Sequence, residues 1–394
     1  MANVQALRQP VKDRDAGPIT FRDVGTTGPG TLAGRYLRQF WQPVVHSAEI
    51  KPGEAKPLRI MGQDYTLYRG ASGAPYVIDA RCPHRAMPMH LGWVEGEEVR
   101  CFYHGWKFAG ADGSCTEQPA ERPDFCHKIR TGAYAAQDHL GLVFAFLGEG
   151  TAPEMPRYPA FESDDVILNH DSYTRACHFF NNLENGGDVA HIAFAHHDAS
   201  VAWDEATDGP SIECDESEWG CTIRAVRPSG KEIVSQFGMP NVFHVRGVPD
   251  DPEVQYREFV AWWVPLDDDR HTQFTVSMQP KYSDVTPRHQ QRRAEKLARQ
   301  DLDREAIAGK LLDGSMVWAD VDLKRVNNIF LQDDVAQAGV GPVATRQQEH
   351  LGRSDAALIL QRKLWVAELD RFARGEPIKQ WHYDPAKLPV KAEF

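Results

Sequence analysis

From position 41 to about 148 the apolar residues come in short runs broken by turn signals: Lys51-Pro52-Gly53, Gly70-Ala71-Ser72-Gly73, Glu95-Gly96-Glu97 and Gly110-Ala111-Asp112-Gly113. Short runs between such breaks predict a small antiparallel β unit. Three prolines within 151–159 mark a linker that closes it. Two long polar segments, 287–312 and 354–375, carry helical spacing. The second opens at Ser354, a favourable N-cap, and stops before Gly375-Glu376-Pro377. Strand-like runs at 259–265 and 274–278 complete the pattern, so the larger second unit is predicted to be α+β, a sheet with helices against it. A chain of 394 residues is long enough for two sizeable cores.

Composition narrows the function classes. With 44 basic and 56 acidic residues the formal charge is −12, the wrong sign for a nucleic-acid binder. An acidic surface suits a basic redox partner, although a moderate negative charge also simply keeps a protein in solution. The stretch 1–17 carries Arg8, Lys12, Asp13, Arg14 and Asp15 without an apolar core, unlike a signal peptide. The longest apolar runs, near 140–147 and 259–266, fall short of a membrane span. The expectation is a cytoplasmic protein with neither nucleic-acid nor membrane partners. Seven cysteines scattered over this length read as reduced thiols or metal ligands rather than a disulfide scaffold.

Two constellations carry chemistry. The first is Arg81-Cys82-Pro83-His84-Arg85 followed, after 16 residues between His84 and Cys101, by Cys101-Phe102-Tyr103-His104-Gly105-Trp106. Zinc fingers separate a cysteine pair from a histidine pair. Here each loop mixes the two types, the ligand set of a Rieske [2Fe–2S] cluster, with two thiolates on one iron and two imidazoles on the other. His90, close by, reads as a packing or surface residue. The second constellation is the segment from Asn182 through Leu183-Glu184-Asn185-Gly186-Gly187-Asp188 to His191, His196, His197 and Asp198. Histidines five apart lie about 140° apart on an ideal helix, so two of them sharing a metal need a distorted helix or a helix end. An iron–sulfur relay needs a destination, and two histidines plus one carboxylate with open positions form a non-haem Fe(II) site. His191 and His196 are the expected ligands, with His197 the rival. Asp188, one turn before His191, could orient that ligand and couple it outward. Spacing alone leaves the carboxylate open among Asp198, Asp267, Asp268, Asp333 and Asp334.

The two motifs together resemble the Rieske non-haem iron oxygenases, and the likeness extends over nearly the whole chain. The run from Gly34 to Val44, the cluster loops, the run from Gly113 to Glu121 and the late segment Gln332-Asp333-Asp334-Val335-Ala336-Gln337 resemble the phthalate 4,5-dioxygenase-like branch of catalytic subunits. The resemblance implies a small antiparallel β Rieske domain at 41–150 and a larger helix-grip-like catalytic domain at 151–394, whose antiparallel sheet is covered by helices. Residues 1–40 would pack on the catalytic domain. It also implies a cluster on Cys82, His84, Cys101 and His104 and an iron on His191, His196 and Asp333, with Asp188 bridging the two centres between subunits of a head-to-tail homotrimer. O2 is the expected co-substrate. Electrons from NAD(P)H would arrive indirectly through a separate reductase, with or without a ferredoxin. The outcome would be hydroxylation or dealkylation of a small substrate, an aromatic acid or aryl ether. Asn241, Phe243 and Arg246 fall where relatives line the pocket, Arg246 suiting a carboxylate. Ala86 stands where the family commonly has glycine, and Glu184 and Asn185 depart from the usual approach to Asp188. The competing reading is a redox carrier or sensor that uses the cluster alone.

Overall fold

A computed structural model describes residues 17–122, 125–196, 209–228, 230, 232–248, 257–281 and 286–383. After two short helices, α1 (Phe21–Val24) and α2 (Leu32–Leu37), the chain forms β1 (Trp41–His46), β2 (Ala55–Ile60), β3 (Gln63–Arg69) and β4 (Pro75–Asp79). Four short strands follow: β5 (Trp93–Glu95), β6 (Glu98–Arg100), β7 (Lys107–Ala109) and β8 (Cys115–Glu117). Then β9 (Ala133–His139) and β10 (Leu142–Phe146) return to the first group. The result is an antiparallel six-stranded sheet in the order β1-β10-β9-β4-β3-β2, with β5-β6-β7-β8 set apart as a small sheet of its own. The turns foreseen at Gly53, Gly73, Gly96 and Gly113 all carry positive φ, which glycine adopts without strain.

The second half holds a seven-stranded antiparallel sheet in the order β11-β17-β16-β15-β14-β13-β12. Its strands are β11 (Val166–Arg175), β12 (Ser211–Glu216), β13 (Gly220–Val226), β14 (Glu232–Gly238), β15 (Val242–Val248), β16 (Arg257–Pro265) and β17 (His271–Pro280). Helix α3 (Phe179–Gly187) and the short α4 (Ile192–Ala195) follow β11, while α5 (Thr286–Arg299), α6 (Arg304–Leu312), α7 (Asn328–Gly339) and α8 (Ala356–Ala373) follow β17. The single helix expected over 287–312 is two helices. Asp303 accepts a hydrogen bond from the Ala306 amide at 3.0 Å and so starts α6, which stops α5 from continuing through it. Among the described residues no helix is long and apolar enough to cross a membrane.

Facing residues in paired strands share a side of the sheet. Val260, Trp262, Phe274 and Val276 therefore lie on one face, and Trp263, Ala261, Gln273, Thr275 and Ser277 on the other. The first face belongs to a core that runs without a break into the six-stranded sheet through Leu142, Phe144, Leu58 and Ile60. The second face meets α3. A Cβ on Gly186 would sit 2.6 Å from the Trp263 ring, so only glycine lets the helix approach this closely. A separate core of Tyr68, Ile78, Met89, Val99, Trp106 and Phe108 encloses Cys82 and Cys101.

The N-terminal segment ties the halves together. Tyr36 packs edge-on against Trp365 of α8 at 5.7 Å, Arg38 donates to the Met61 carbonyl, and the Thr27 amide donates to Asp268 at 2.7 Å. Asp267 accepts from the Asp269 and Arg270 amides. Both aspartates are therefore occupied in loop structure.

Candidate metal centres

The two cluster loops share one backbone device. In each, the carbonyl of the cysteine accepts from the amide four residues on, Ala86 N to Cys82 O at 2.9 Å and Gly105 N to Cys101 O at 3.1 Å. Both fourth residues are left-handed, Gly105 at φ 73° and Ala86 at 56°. Gly105 adopts this freely, whereas Ala86 does so against its Cβ. These turns bury the two cysteines, each 2% exposed, and leave the two histidines nearer the surface. The Cys82 and Cys101 thiols belong to the same buried core. The His84 and His104 rings are 4.4 Å apart at their centroids. Trp106 stacks on His84 at 4.3 Å with 6° between planes, which fixes that ring.

The donor set thus has a thiol end and an imidazole end, as a two-iron cluster requires. Burial pushes the Cys82 thiol up to about 11, so the charge of bound iron is what would hold it as thiolate.

The second site forms where α3 ends. Asp188 caps the helix, and its carboxylate accepts from the Ala190 and His191 amides at 3.0 and 3.2 Å. This break turns the chain so that histidines five apart converge, solving the problem an unbroken helix would pose. The His191 and His196 ring centroids are 5.2 Å apart. Asp333, from α7, places Oδ1 at 3.7 Å from His191 Nε2 and 3.4 Å from His196 Nε2. Among the described residues, these three are the group of histidine, cysteine and acidic side chains whose donor atoms all lie within 4.8 Å of one another. His191 Nδ1 bonds the Asp188 carbonyl and His196 Nδ1 bonds Gln332 Oε1 at 2.9 Å, so both rings turn Nε2 toward Asp333. Burial raises the Asp333 carboxyl, but the His196 hydrogen bond and the Arg175 charge outweigh it and hold it at about 2.

Asp334 does a different job. It pairs with Arg175 at 2.5 Å and with Arg304, and it is not one of the three converging donors. Of the residues sequence reasoning left without a role, Asn185 stands inside the site, Nδ2 3.3 Å from His191 Nε2 and 3.4 Å from Asp333 Oδ1. Glu184 is instead buried between Arg346 and Arg362. Gln332 and Arg175 gave no prior signal, because their roles depend on elements distant in the chain. His197 and Asp198 lie outside the described residues.

Two of the three pocket candidates make bonds within the sheet layers. Asn241 is 1% exposed, and its amide is occupied by Gln42 Oε1 and the Trp263 carbonyl, each at 2.9 Å, so it ties strands together. Arg246 pairs with Glu258 across the ladder, on the sheet face opposite Trp263, and makes two bonds of 3.0 Å to that carboxylate. Phe243 lies on the sheet face that meets α3, 5.6 Å from the Trp263 ring.

Chemically, the fold presents one cysteine–histidine quartet and one two-histidine, one-carboxylate triad, which defines a metal-dependent redox enzyme. Comparison with known proteins gives the family. A Rieske [2Fe-2S] domain model matches residues 40–136. The chain is 30% identical to the tert-butanol monooxygenase / tert-amyl alcohol desaturase oxygenase subunit of Aquincola tertiaricarbonis, over 90% of this chain and 77% of that protein. It is 29% identical to the 5,5'-dehydrodivanillate O-demethylase oxygenase subunit of Sphingobium sp. (strain NBRC 103272 / SYK-6), over 91% and 82%. It is 28% identical to the phthalate 4,5-dioxygenase oxygenase subunit of Pseudomonas putida, over 87% and 84%. The fold matches that of Pseudomonas putida CBB5 NdmA with caffeine at TM-score 0.66 and 19% identity, covering 86% of this chain and 93% of that one. The chain belongs to the Rieske non-haem iron oxygenases, in the company of their catalytic subunits. It is an oxygenase rather than a carrier that uses the cluster alone, and its cofactors are the [2Fe–2S] cluster and a mononuclear iron, with O2 as co-substrate.

Proposed function

We propose that Cys82 and Cys101 hold one iron of the cluster and His84 and His104 the other, and that His191, His196 and Asp333 hold the mononuclear iron. The convergence of three donors from two separate elements supports this most strongly. Bound there, the iron supplies O2 activation. The chain's own residues do the rest. Asp188 and Gln332 fix which nitrogen each histidine presents, Arg175 keeps Asp333 ionised, and the face bearing Phe243, Ala261 and Trp263 offers an apolar wall for a flat substrate. With Arg246 committed to Glu258, an acid's carboxylate loses its expected anchor, which favours an aryl ether or other methoxylated aromatic ring. O-demethylation fits this wall: hydroxylation of the methyl carbon gives a hemiacetal that collapses to a phenol and formaldehyde. Substrate-dependent O2 uptake and formaldehyde release across methoxylated aromatics, aromatic acids and N-methyl heterocycles test the assignment. Uptake with the acids alone, and no formaldehyde, overturns it.

The assembly we propose is a head-to-tail homotrimer in which Asp188 of one subunit meets His104 of the next, with a reductase or ferredoxin supplying electrons in the cytoplasm. His104 is exposed beside Trp93, Phe102 and Tyr103, each about half exposed, an apolar patch of the kind that assembly covers. The Asp188 side chain, 29% exposed, is accessible to a neighbour. Co-assembling C101S chains with H191A chains tests this, since each variant is inactive alone. Mixed trimers recover part of the activity if electrons cross between subunits, and none if they stay within one chain.

A further inference from the structure

We infer that Tyr383 is a redox-active tyrosine, the outer end of a chain of oxidisable rings that drains oxidising equivalents from the iron site when no substrate is there to take them. The inference rests on iron being held by His191, His196 and Asp333, and goes beyond it.

The path starts at Arg175, which contacts Asp333 and lies over the Tyr173 ring at 4.8 Å. The Tyr173 hydroxyl and the Trp263 indole N–H donate to the same atom, Gln273 Oε1, the second at 2.9 Å. Trp263 is followed back along β16 by Trp262, its chain neighbour on the opposite face, so these two indoles carry the path through the sheet. Trp262 meets Tyr158 at 5.7 Å, and Tyr158 meets Tyr383 at 4.9 Å. Trp219 lies beside both tyrosines, at 4.8 Å from Tyr383 and 6.4 Å from Tyr158.

What makes Tyr383 the terminus is its hydrogen bond. A phenol is hard to oxidise unless its proton has somewhere to go. Tyr383 donates to His244 Nδ1 at 3.0 Å, while His244 Nε2–H donates to Glu258 Oε1 at 2.8 Å. His244 is fully buried, and Glu258 is 3% exposed and clamped by Arg246. The imidazole is therefore held as the tautomer whose free lone pair faces the phenol, and a carboxylate stands ready to stabilise the imidazolium. Tyr173, by contrast, donates to an amide oxygen, which cannot accept a proton. An oxidising equivalent that reaches Tyr383 stops there. This also gives His244, Glu258 and Arg246 a purpose on the face away from the substrate.

The oxidant is hydrogen peroxide, the two-electron product of O2 reduction uncoupled from substrate. It takes two electrons, one from ferrous iron and one from Tyr383 through the rings, and two protons from solvent, and leaves as two waters. Tyr383 becomes the neutral radical as its proton passes to His244. One electron from a solution reductant such as ascorbate, with the proton returned, restores the phenol.

The test uses the holoprotein, with cluster and iron, anaerobic and without substrate. It is mixed with one equivalent of hydrogen peroxide and freeze-quenched for electron paramagnetic resonance, and oxidised peptides are mapped by mass spectrometry. The expected result is a tyrosyl radical signal that narrows when the unmutated chain is made with ring-deuterated tyrosine. It disappears in Y383F, and oxidation there shifts inward to the Tyr173 and Trp263 peptides. W262F, which breaks the path while leaving Tyr383 and His244 in place, gives the same loss. Iron oxidised by peroxide with no tyrosyl signal in the unmutated chain, or a signal unchanged in Y383F, overturns the inference alone. A protein with no iron beyond the cluster overturns both it and the reading of the site.

Discussion

Asp333 and Asp334 are neighbours on one helix, yet the structure gives them separable jobs, and the pair of variants D333N and D334N tests that division. Arg175 has a side chain only 1% exposed and holds Asp334 at 2.5 Å, the Asn182 amide oxygen at 2.7 Å and Asp333 at 3.4 Å. Asp334, 9% exposed, is shared with Arg304. Removing one partner of a buried ion pair costs about 3–5 kcal/mol, because the other charge is left buried. In D334N the Asp333 carboxylate and the Asn182 oxygen still face Arg175, and the new amide keeps an acceptor, so the lower end, about 3 kcal/mol, applies. In D333N the closer Asp334 pair survives and the loss is about 1–2 kcal/mol. Guanidinium unfolding of iron-free proteins reads the stability without a contribution from metal binding. Iron analysis of reconstituted protein reads the site. The expected pattern is crossed: D334N is the less stable but keeps the mononuclear iron, and D333N is the more stable but loses it. If D333N retained that iron while D334N lost it, the ligand assignment would be refuted.

Three further predictions concern the frame around the sites. Burial lowers His271 to about 3 and His178 to about 4. A histidine in the unfolded chain titrates near 6.5, so each group's stability is complete above that pH and falls as the pH drops toward the folded value, by about 2 kcal/mol apiece at pH 5. Unfolding midpoints should therefore fall between pH 7 and pH 5, and less steeply in H271Q; a slope unchanged in H271Q would remove His271 from this account. A86G relieves a left-handed alanine in the first cluster loop. It should stabilise the cluster-loaded protein by up to about 1 kcal/mol after the extra flexibility of unfolded glycine is counted, read from the temperature at which the cluster's visible absorbance is lost. G186A drives a methyl group into Trp263 and should cost about 1–3 kcal/mol and lower iron occupancy by shifting α3, with the cluster absorbance unaffected.

The cysteine–histidine loops were legible because the four proposed ligands sit in two short turns, where local spacing is also spatial arrangement. The iron site was legible in part. His191 and His196 stood in one segment, but their convergence depends on the helix break at Asp188, which periodicity does not report. The resemblance pointed to Asp333, but the physical reason that Asp334 is occupied elsewhere is Arg175, brought in from β11 more than 150 residues away in the chain. For the same reason the partners of Asn241 and Arg246 were not legible: a residue's side of a sheet follows from register, and adjacent strand positions point to opposite faces. Asp303, a polar residue inside a polar helical pattern, hid a helix start in plain view, since N-capping depends on backbone geometry rather than on composition.

Metal stoichiometry, with acid-labile sulfide, tests the central assignment most directly. Two irons and two sulfides belong to the cluster, and the unmutated chain should carry one iron more. H191A and D333A should each lose that one iron while sulfide and the Rieske spectrum stay unchanged. A third iron that survives both substitutions, or an unmutated chain that binds none beyond the cluster under anaerobic reconstitution, would contradict the site described here.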